Sequence, residues 1–438
     1  MDGYVVRSLR RWQYRRGGQR PTKARSIHWG SLETGGDGSY RAKILPMKLN
    51  CIVSMALVGF AVAQPSQAQT QAGPVPATQA GEPQRRREPT GDAKLQMSIE
   101  EYTPKSGLVV PQNPVKRAKF PFVDVHNHQR GDMPEAQLDK LVKDMDELNL
   151  QVMVNLSGGY GERLRKSVDN MAKGKYAKRF VVFANFDFSD IDAPGYADKV
   201  ANQLEADFKY GAKGLKIFKD FGMDRKDTKG NRIHVDDARF DKAFEMCAKY
   251  NLPVLIHTAE PSQFFLPQDK NNERWLELKQ FPSRARPADR YPTWQTMMDE
   301  QRRMFKRHPK VKFINAHLGW LGGDLAQLGK LMDEMPNMYT EIGAVLAELG
   351  RQPRFAKQWF IKYQDRVFFG KDTWEPFEYH YYFRVLETAD EYFDYYRRRH
   401  AFWQMYGLDL PEEVLRKLYY KNALKLIPGL DASAFPQQ

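Results

Sequence analysis

Phe122-Val123-Asp124-Val125-His126-Asn127-His128 is the stretch from which the rest of the chain is read. A mostly apolar, β-branched run ends in two histidines one residue apart. In a β-strand successive side chains alternate between faces, so residues i and i+2 point the same way. As the end of a strand, this stretch aims the imidazoles of His126 and His128 at one point, which is half of a metal site. Taken alone, the pair reads equally well as two polar residues at a strand end, hydrogen-bonded or solvated. Residues farther along the chain decide between the two.

Outward from this stretch, apolar runs recur over 120–128, 151–156, 180–188, 214–219, 253–258, 312–317, 338–343 and 367–372. Helical patterns lie between them, over 136–148, 196–210, 240–250, 294–307, 325–335 and 354–363. Near-continuous apolar strands alternating with amphipathic helices imply parallel strands covered on both faces. Eight such units predict an α/β fold, a (β/α)8 TIM barrel. An open doubly wound sheet is the alternative, but no glycine-rich phosphate loop follows the first strand. A helical, aromatic-rich C-terminal extension comes next. Its Tyr379-His380-Tyr381-Tyr382-Phe383 and Tyr392-Phe393-Asp394-Tyr395-Tyr396 read as packing, and a last helix from Pro411 to Leu426 closes the outer ring.

Three further polar residues fall at the ends of these runs: His257 on the fifth, His317 on the sixth and Asp372 on the eighth. In a barrel those ends converge on one mouth, where active sites lie. Neutral imidazoles with one carboxylate suit Zn2+, with a position left for water; Mn2+, Fe2+ and Co2+ also accept such ligands. His28 lies far upstream, and His234, His308, His380 and His400 read as solvated. Lys216-Ile217-Phe218-Lys219 offers two lysines on opposite faces, either of which would point inward and meet an anionic substrate group. Glu260, just past His257, is a carboxylate behind the ligands or on the rim. The insertion over 262–292, with Trp275, Arg284, Arg286 and Arg290, reads as a lid that carries specificity.

With these pieces in place, the chain from about 118 to 428 resembles the amidohydrolase superfamily, specifically its amidohydrolase-related family. The matching motifs are Asp124-Val125-His126-Asn127-His128, Gly214-Leu215-Lys216, Ile256-His257-Thr258, Asn315-Ala316-His317-Leu318-Gly319, Phe369-Gly370-Lys371-Asp372, and Leu410-Pro411-Glu412-Glu413-Val414 with Asn422-Ala423. The resemblance implies a metal-dependent barrel that hydrolyses amide or ester-like bonds or, in some branches, decarboxylates or hydrates small acids. It implies His126, His128 and His257 as metal ligands, Asp372 as carboxylate ligand or base, and His317 as the strand-6 histidine that touches metal, water or substrate. The related branch is usually mononuclear, so one divalent metal is expected, Zn2+ before the others. Members with two metals bridge them with a carbamylated lysine ending strand 4, a position that Lys216 fits better than Lys219. The family's strand-8 motif has a small neutral residue before its aspartate. Here it is Lys371, expected against Glu341, Glu375 or substrate.

The expected function is a hydrolase that uses a metal-activated water on an amide, ester or lactone-like bond of a small molecule, with Asp372 and His317 catalytic. Lys216, Lys219 and Glu260 are the candidate substrate contacts. A decarboxylase of a small carboxylic acid is the alternative within enzymes; a non-catalytic metal- or partner-binding barrel is the alternative outside them.

Composition fits a large barrel with tails: 438 residues, 42% hydrophobic and 13% aromatic. The formal charge of +14 suggests nucleic acid, but its distribution does not. Residues 1–46 carry ten Lys/Arg against three acids, a net +7, and elsewhere the two signs are interspersed. No nucleic-acid partner is expected, and assembly as a homo-oligomer is left open. From Met47 the chain has a short basic start, an apolar run over 51–63 and small residues at Ala61-Val62-Ala63 or Ser66-Gln67-Ala68. That is the pattern of a secretory signal peptide, too short to stay as a membrane anchor. The expected organisation is a mis-called upstream extension over 1–46, a signal peptide over 47–68, a disordered, flexible linker over 69–117 and the barrel over 118–438, in an exported, periplasmic protein. After signal removal Cys247 is the sole cysteine, which excludes an internal disulfide; its helical context reads as buried packing.

Overall fold

The opening stretch forms a strand, β1 (Phe122–Asn127), that is buried along its whole length. It pairs in parallel with β2 (Leu150–Asn155), and β2 pairs with β3 (Phe180–Val182). A second parallel run joins β4 (Leu215–Ile217), β5 (Val254–Ile256), β6 (Phe313–Asn315), β7 (Met338–Glu341) and β8 (Val367–Phe368). Single parallel bridges close both seams, Ala184 with Leu215 and Asn127 with Asp372. At the first seam the Lys216 N–H donates to the Ala184 carbonyl at 2.8 Å; at the second, the Val125 N–H donates to the Phe369 carbonyl at 3.0 Å. The sheet closes on itself as an eight-stranded barrel, which removes its edges. This computed structural model describes residues 97–400 and 403–436. The expected upstream extension, the signal peptide and most of the linker lie outside the described residues. Residues at the end of the linker are tied down: the Asn113 N–H and side chain both donate to Asp390, and Arg117 donates to the carbonyl of Glu147.

The outer layer is built from α1 (Glu135–Leu148), α2 (Gly161–Met171), α3 (Tyr196–Tyr210), α4 (Asp241–Lys249), α5 (Trp275–Gln280), α6 (Trp294–Arg307), α7 (Leu325–Glu334), α8 (Leu346–Gly350), α9 (Pro353–Tyr363) and α10 (Pro376–Glu387). Each longer helix buries one stripe; on α1 it is Leu138, Leu141, Met145 and Leu148, spaced three or four apart. Cys247 is buried in α4, as its context predicts. The aromatic run on α10 is core: Tyr379, Tyr382 and Phe383 are fully buried, and Phe122 meets Phe369 and Phe383 edge-on at 4.8 and 5.5 Å. Each such ring contributes about 1.5–3 kcal/mol of burial. Among the described residues, no helix is long and apolar enough to cross a membrane.

Three expectations need correction. The strands are shorter than the apolar runs, because beyond the ladder the backbone turns left-handed at Ala259, His317, Leu318 and Asp372. The last helix is not a regular α-helix throughout. It runs as α11 (Glu412–Arg416) and α12 (Asn422–Leu426) around a π-turn at Lys417–Lys421, and the Leu418 carbonyl there accepts the Phe369 N–H at 2.9 Å. The widened turn thus gives a carbonyl to β8 that a regular helix would keep. Finally, His308 and His400 are buried rather than solvated. His308 meets Asp241 at 3.0 Å, and His400 lies between Arg274 and Glu277.

Candidate metal centre

A polar side chain at the end of a fully buried strand must find partners inside the barrel. His126 finds them through both ring nitrogens. Its Nδ1 lies 3.0 Å from Oε1 of Glu341, the last residue of β7. An ionised carboxylate only accepts, so Nδ1 carries the proton and Nε2 presents a lone pair. His128 turns the same way, with the two ring centres 5.3 Å apart, and its Nδ1 meets the Ser157 hydroxyl at 2.9 Å. Asp372 arrives across the barrel seam. Its backbone φ is 81°, and its N–H donates to the His126 carbonyl at 2.6 Å. Asp372 Oδ1 sits 3.4 Å from His126 Nε2 and 3.6 Å from His128 Nε2.

Three candidate ligand atoms therefore converge, all within 4.8 Å of one another. Lone pairs that face each other at this range repel unless a cation meets them, and in this structure the Lys216 Nζ lies 3.2 Å from His126 Nε2. Two imidazoles and a carboxylate are a donor set that fits a divalent ion of the Zn2+ type. The protonation states agree. Burial, reinforced by Lys216, holds the His128 imidazole down at about 4. Burial likewise pushes His126 far below the ordinary histidine range. Burial opposes the ionisation of Asp372, but His126, His317, His128 and Lys216 outweigh it and hold the carboxyl at about 2. Near neutral pH the three groups are in the forms a metal requires.

His317 and His257 form a second pair beside this cluster. His317 sits in a left-handed turn, φ 58°, that continues through Leu318, Gly319 and Trp320. Such a backbone costs about 1–2 kcal/mol per non-glycine residue, and strain of this kind gathers at functional sites. The Glu341 carboxylate offsets it by accepting the His317 N–H at 2.6 Å. The His317 Nδ1 donates to the Gly343 carbonyl at 2.8 Å, so its Nε2 is an acceptor. That Nε2 lies 3.3 Å from Nδ1 of His257, which must then be the donor. The remaining nitrogen of His257, Nε2, is a buried lone pair with no partner. His257 is ready to ligate, but it stands against His317, outside the cluster of His126, His128 and Asp372.

The two lysines part company as alternation requires. Lys216 is buried, with Nζ 3.2 Å from His126 Nε2, and burial pulls its ammonium down to about 8. Lys219 points to the rim and pairs with Glu260 at 2.6 Å. Glu260 also takes Arg286 at 2.9 Å, so it links the β4 lysine to the insertion and stands apart from the histidines. The insertion is fastened rather than loose: buried Arg274 pairs with Glu277 at 3.2 Å and with Glu348. Lys371 does not meet Glu341 or Glu375. It turns into the body and pairs with Glu378, while its N–H donates to Asp124.

Glu341 is the functional residue that the sequence reading passed over. It is fully buried and receives His126 and the His317 N–H on Oε1 and the Gly343 N–H on Oε2 at 2.5 Å. The available signal was an acid closing an otherwise apolar strand-end run, since a buried carboxylate needs partners. Asp124 was quoted only as part of a motif. It accepts from Tyr379 at 2.6 Å, from Asn127, and from two backbone N–H groups beneath the histidines, and burial raises its carboxyl to about 6. Trp320 stacks on His317 at 4.5 Å, and Phe218 lies 5.6 Å from His128; both are aromatic walls of the mouth. Space around Glu341 is tight. A Cβ on Gly370 would fall 2.3 Å from Glu341 Oε2 and 3.0 Å from the His126 Cβ. Gly370→Ala is expected to lower the unfolding free energy by about 1–3 kcal/mol or more, read as a lower denaturant midpoint at unchanged slope. A wild-type midpoint would contradict the packing described.

A model of the family described as Amidohydrolase matches residues 123–429. Similar solved structures include a dihydroxybenzoic acid decarboxylase from Polaromonas, with bound manganese and 2-nitroresorcinol. It is 14% identical with a TM-score of 0.45, covering 72% of this chain and 99% of that one. An amidohydrolase II structure is 15% identical with a TM-score of 0.45, over 70% and 99% of the two chains. An uncharacterised TIM-barrel protein from Bordetella bronchiseptica is 13% identical with a TM-score of 0.43, also over 70% and 99%. No curated protein matches the chain.

Proposed function

The chain belongs to the amidohydrolase family, and from that premise we propose that it is a metal-dependent hydrolase of an amide, ester or lactone-like bond in a small molecule. The observation that supports this most is the convergence of His126 Nε2, His128 Nε2 and Asp372 Oδ1 at the barrel mouth. These residues would hold one divalent ion, Zn2+ first, with the unpartnered Nε2 of His257 as a fourth candidate donor. When bound, such an ion supplies Lewis acidity and lowers the pKa of water. The chain's own groups supply the rest. Asp372, ionised and partly open to the mouth, takes the proton of the attacking water and returns it to the leaving group. His317, with its Nδ1 proton committed to Gly343, has an acceptor at Nε2 that His257 takes in this structure; exchanged from His257 to the nucleophile, it would orient that nucleophile rather than polarise a carbonyl. Trp320 and Phe218 flank the histidines.

The test is a panel of esters, lactones, amides and small carboxylic acids, offered to protein stripped by chelator and reloaded with Zn2+, Mn2+, Fe2+ or Co2+. Hydrolysis restored by at least one ion is expected. Release of carbon dioxide from an acid without any hydrolysis would replace the hydrolase with the decarboxylase. No turnover with any ion would favour the non-catalytic barrel.

A further inference from the structure

The alternation of β1 breaks between Asp124 and Asn127. Phe122 faces the outer layer, where its ring meets Phe383 of α10 at 5.5 Å and Tyr419 at 5.8 Å. Asp124, two residues on, faces the same way and reaches the Tyr379 hydroxyl of α10 at 2.6 Å. Unbroken alternation would send His126 outward after them. His126 instead turns into the barrel. It meets Lys216 of β4 at 3.2 Å and Glu341 of β7 at 3.0 Å, and neither strand is a neighbour of β1 in the sheet. The reversal comes from one extra residue. Asp124 pairs with Met153 of β2 and Asn127 with Asn155, so three steps along β1 oppose two along β2. That is a β-bulge, and one added residue moves the side chains beyond it to the other face.

A bulge leaves backbone groups without ladder partners, and buried ones must be satisfied. In an even parallel ladder the Val125 N–H goes to the Phe369 carbonyl and the Lys371 N–H returns to the Val125 carbonyl. The first bond is present at 3.0 Å. The second is replaced. The Lys371 N–H goes to Oδ1 of Asp124 at 3.1 Å, and the same oxygen accepts the His126 N–H at 3.0 Å. The Asp124 carboxylate thus stands in for a ladder carbonyl, and it holds the backbone at His126 and next to Asp372. Its Oδ2 accepts the Tyr379 hydroxyl and, at 2.9 Å, the Asn127 amide, which also lies 3.0 Å from that hydroxyl.

We propose that Asp124 and Tyr379 are positioning residues for the metal centre: they clasp the bulge that turns His126 and His128 inward beside Asp372, so that a helix outside the barrel sets the geometry of a site inside it. This rests on the reading of His126, His128 and Asp372 as a metal centre. Two measurements test it: Zn2+ affinity, by competition with a chromophoric chelator, and the visible absorption of Co2+-loaded protein, which reports the ligand field. Tyr379→Phe removes one hydroxyl and keeps the ring. In Asp124→Asn, both sides of the carboxylate face donors, so the new NH2 must stand against one of them. Each variant is expected to weaken Zn2+ binding by about 10–100-fold, the usual cost of losing a group behind a ligand, and to change the Co2+ spectrum. Phe383→Leu lies on the same helix and against Phe122, but off the clasp. It is expected to lower the denaturant midpoint and keep wild-type affinity and spectrum. Wild-type affinity and spectrum in Tyr379→Phe would overturn the clasp. So would an equal loss of affinity in Phe383→Leu, since affinity would then follow stability alone. If Asp124→Asn does not fold, Tyr379→Phe and Phe383→Leu decide between them. A wild type that takes up neither ion would instead refute the metal centre, and the clasp with it.

Discussion

Asp372→Asn is expected to lower kcat by about 10³-fold or more on any substrate that the proposed hydrolase turns over. The carboxylate is the one ionised oxygen donor in the cluster, with Oδ1 facing both His126 and His128. It is also the ionised carboxylate at the cluster, its carboxyl held down at about 2, so its place beside both histidines rather than its basicity makes it the proton acceptor. The amide preserves shape and removes both properties. Loss of a general base alone costs about 10²–10⁴-fold, and loss of an anionic ligand adds to it. Comparing kcat at saturating metal with metal content at limiting metal separates the two roles. Hydrolysis that survives in the variant at full metal loading would refute the proton-transfer role.

Glu341→Gln is the second large effect. It is expected to weaken divalent-metal affinity by about 10–100-fold, the usual cost of losing a carboxylate behind a ligating histidine. Each Glu341 oxygen faces N–H donors: His126 and His317 on one side, Gly343 on the other. A glutamine amide has to turn its NH2 toward one side, so a donor meets a donor whichever way it sits. The buried mismatch should also lower stability by about 1–3 kcal/mol. Competition against a chromophoric chelator reads the affinity directly. Wild-type affinity in the variant would mean that His126 needs no carboxylate to hold its tautomer.

Much of this arrangement was legible in the sequence, for reasons that differ from residue to residue. The barrel showed because eight apolar runs alternate with amphipathic helices. His126, His128, His257, His317 and Asp372 showed because they are polar residues ending apolar runs, and strand alternation aligns the first two. Alternation also separated Lys216 from Lys219, but which one faces inward depends on where β4 sits in the barrel, which spacing does not encode. Glu341 stayed hidden because its partners lie 24 and 215 residues away in the chain. The same distance in sequence concealed the pairing of His400 with Arg274 and of His308 with Asp241. Lys371 pairs within its own helix entry, with Glu378, and the choice among nearby acids was set by the turn at Asp372. The apparent end of each strand was blurred because apolar sequence continues past the ladder into left-handed turns.

The central claim is that His126, His128 and Asp372 hold one divalent ion. Plasma mass spectrometry tests it on wild type and on the His126→Ala/His128→Ala double variant, each dialysed to equilibrium against buffered Zn2+. About one equivalent is expected in wild type and close to none in the variant. A wild-type protein that retains no metal, or a double variant that retains as much as wild type, would contradict the claim.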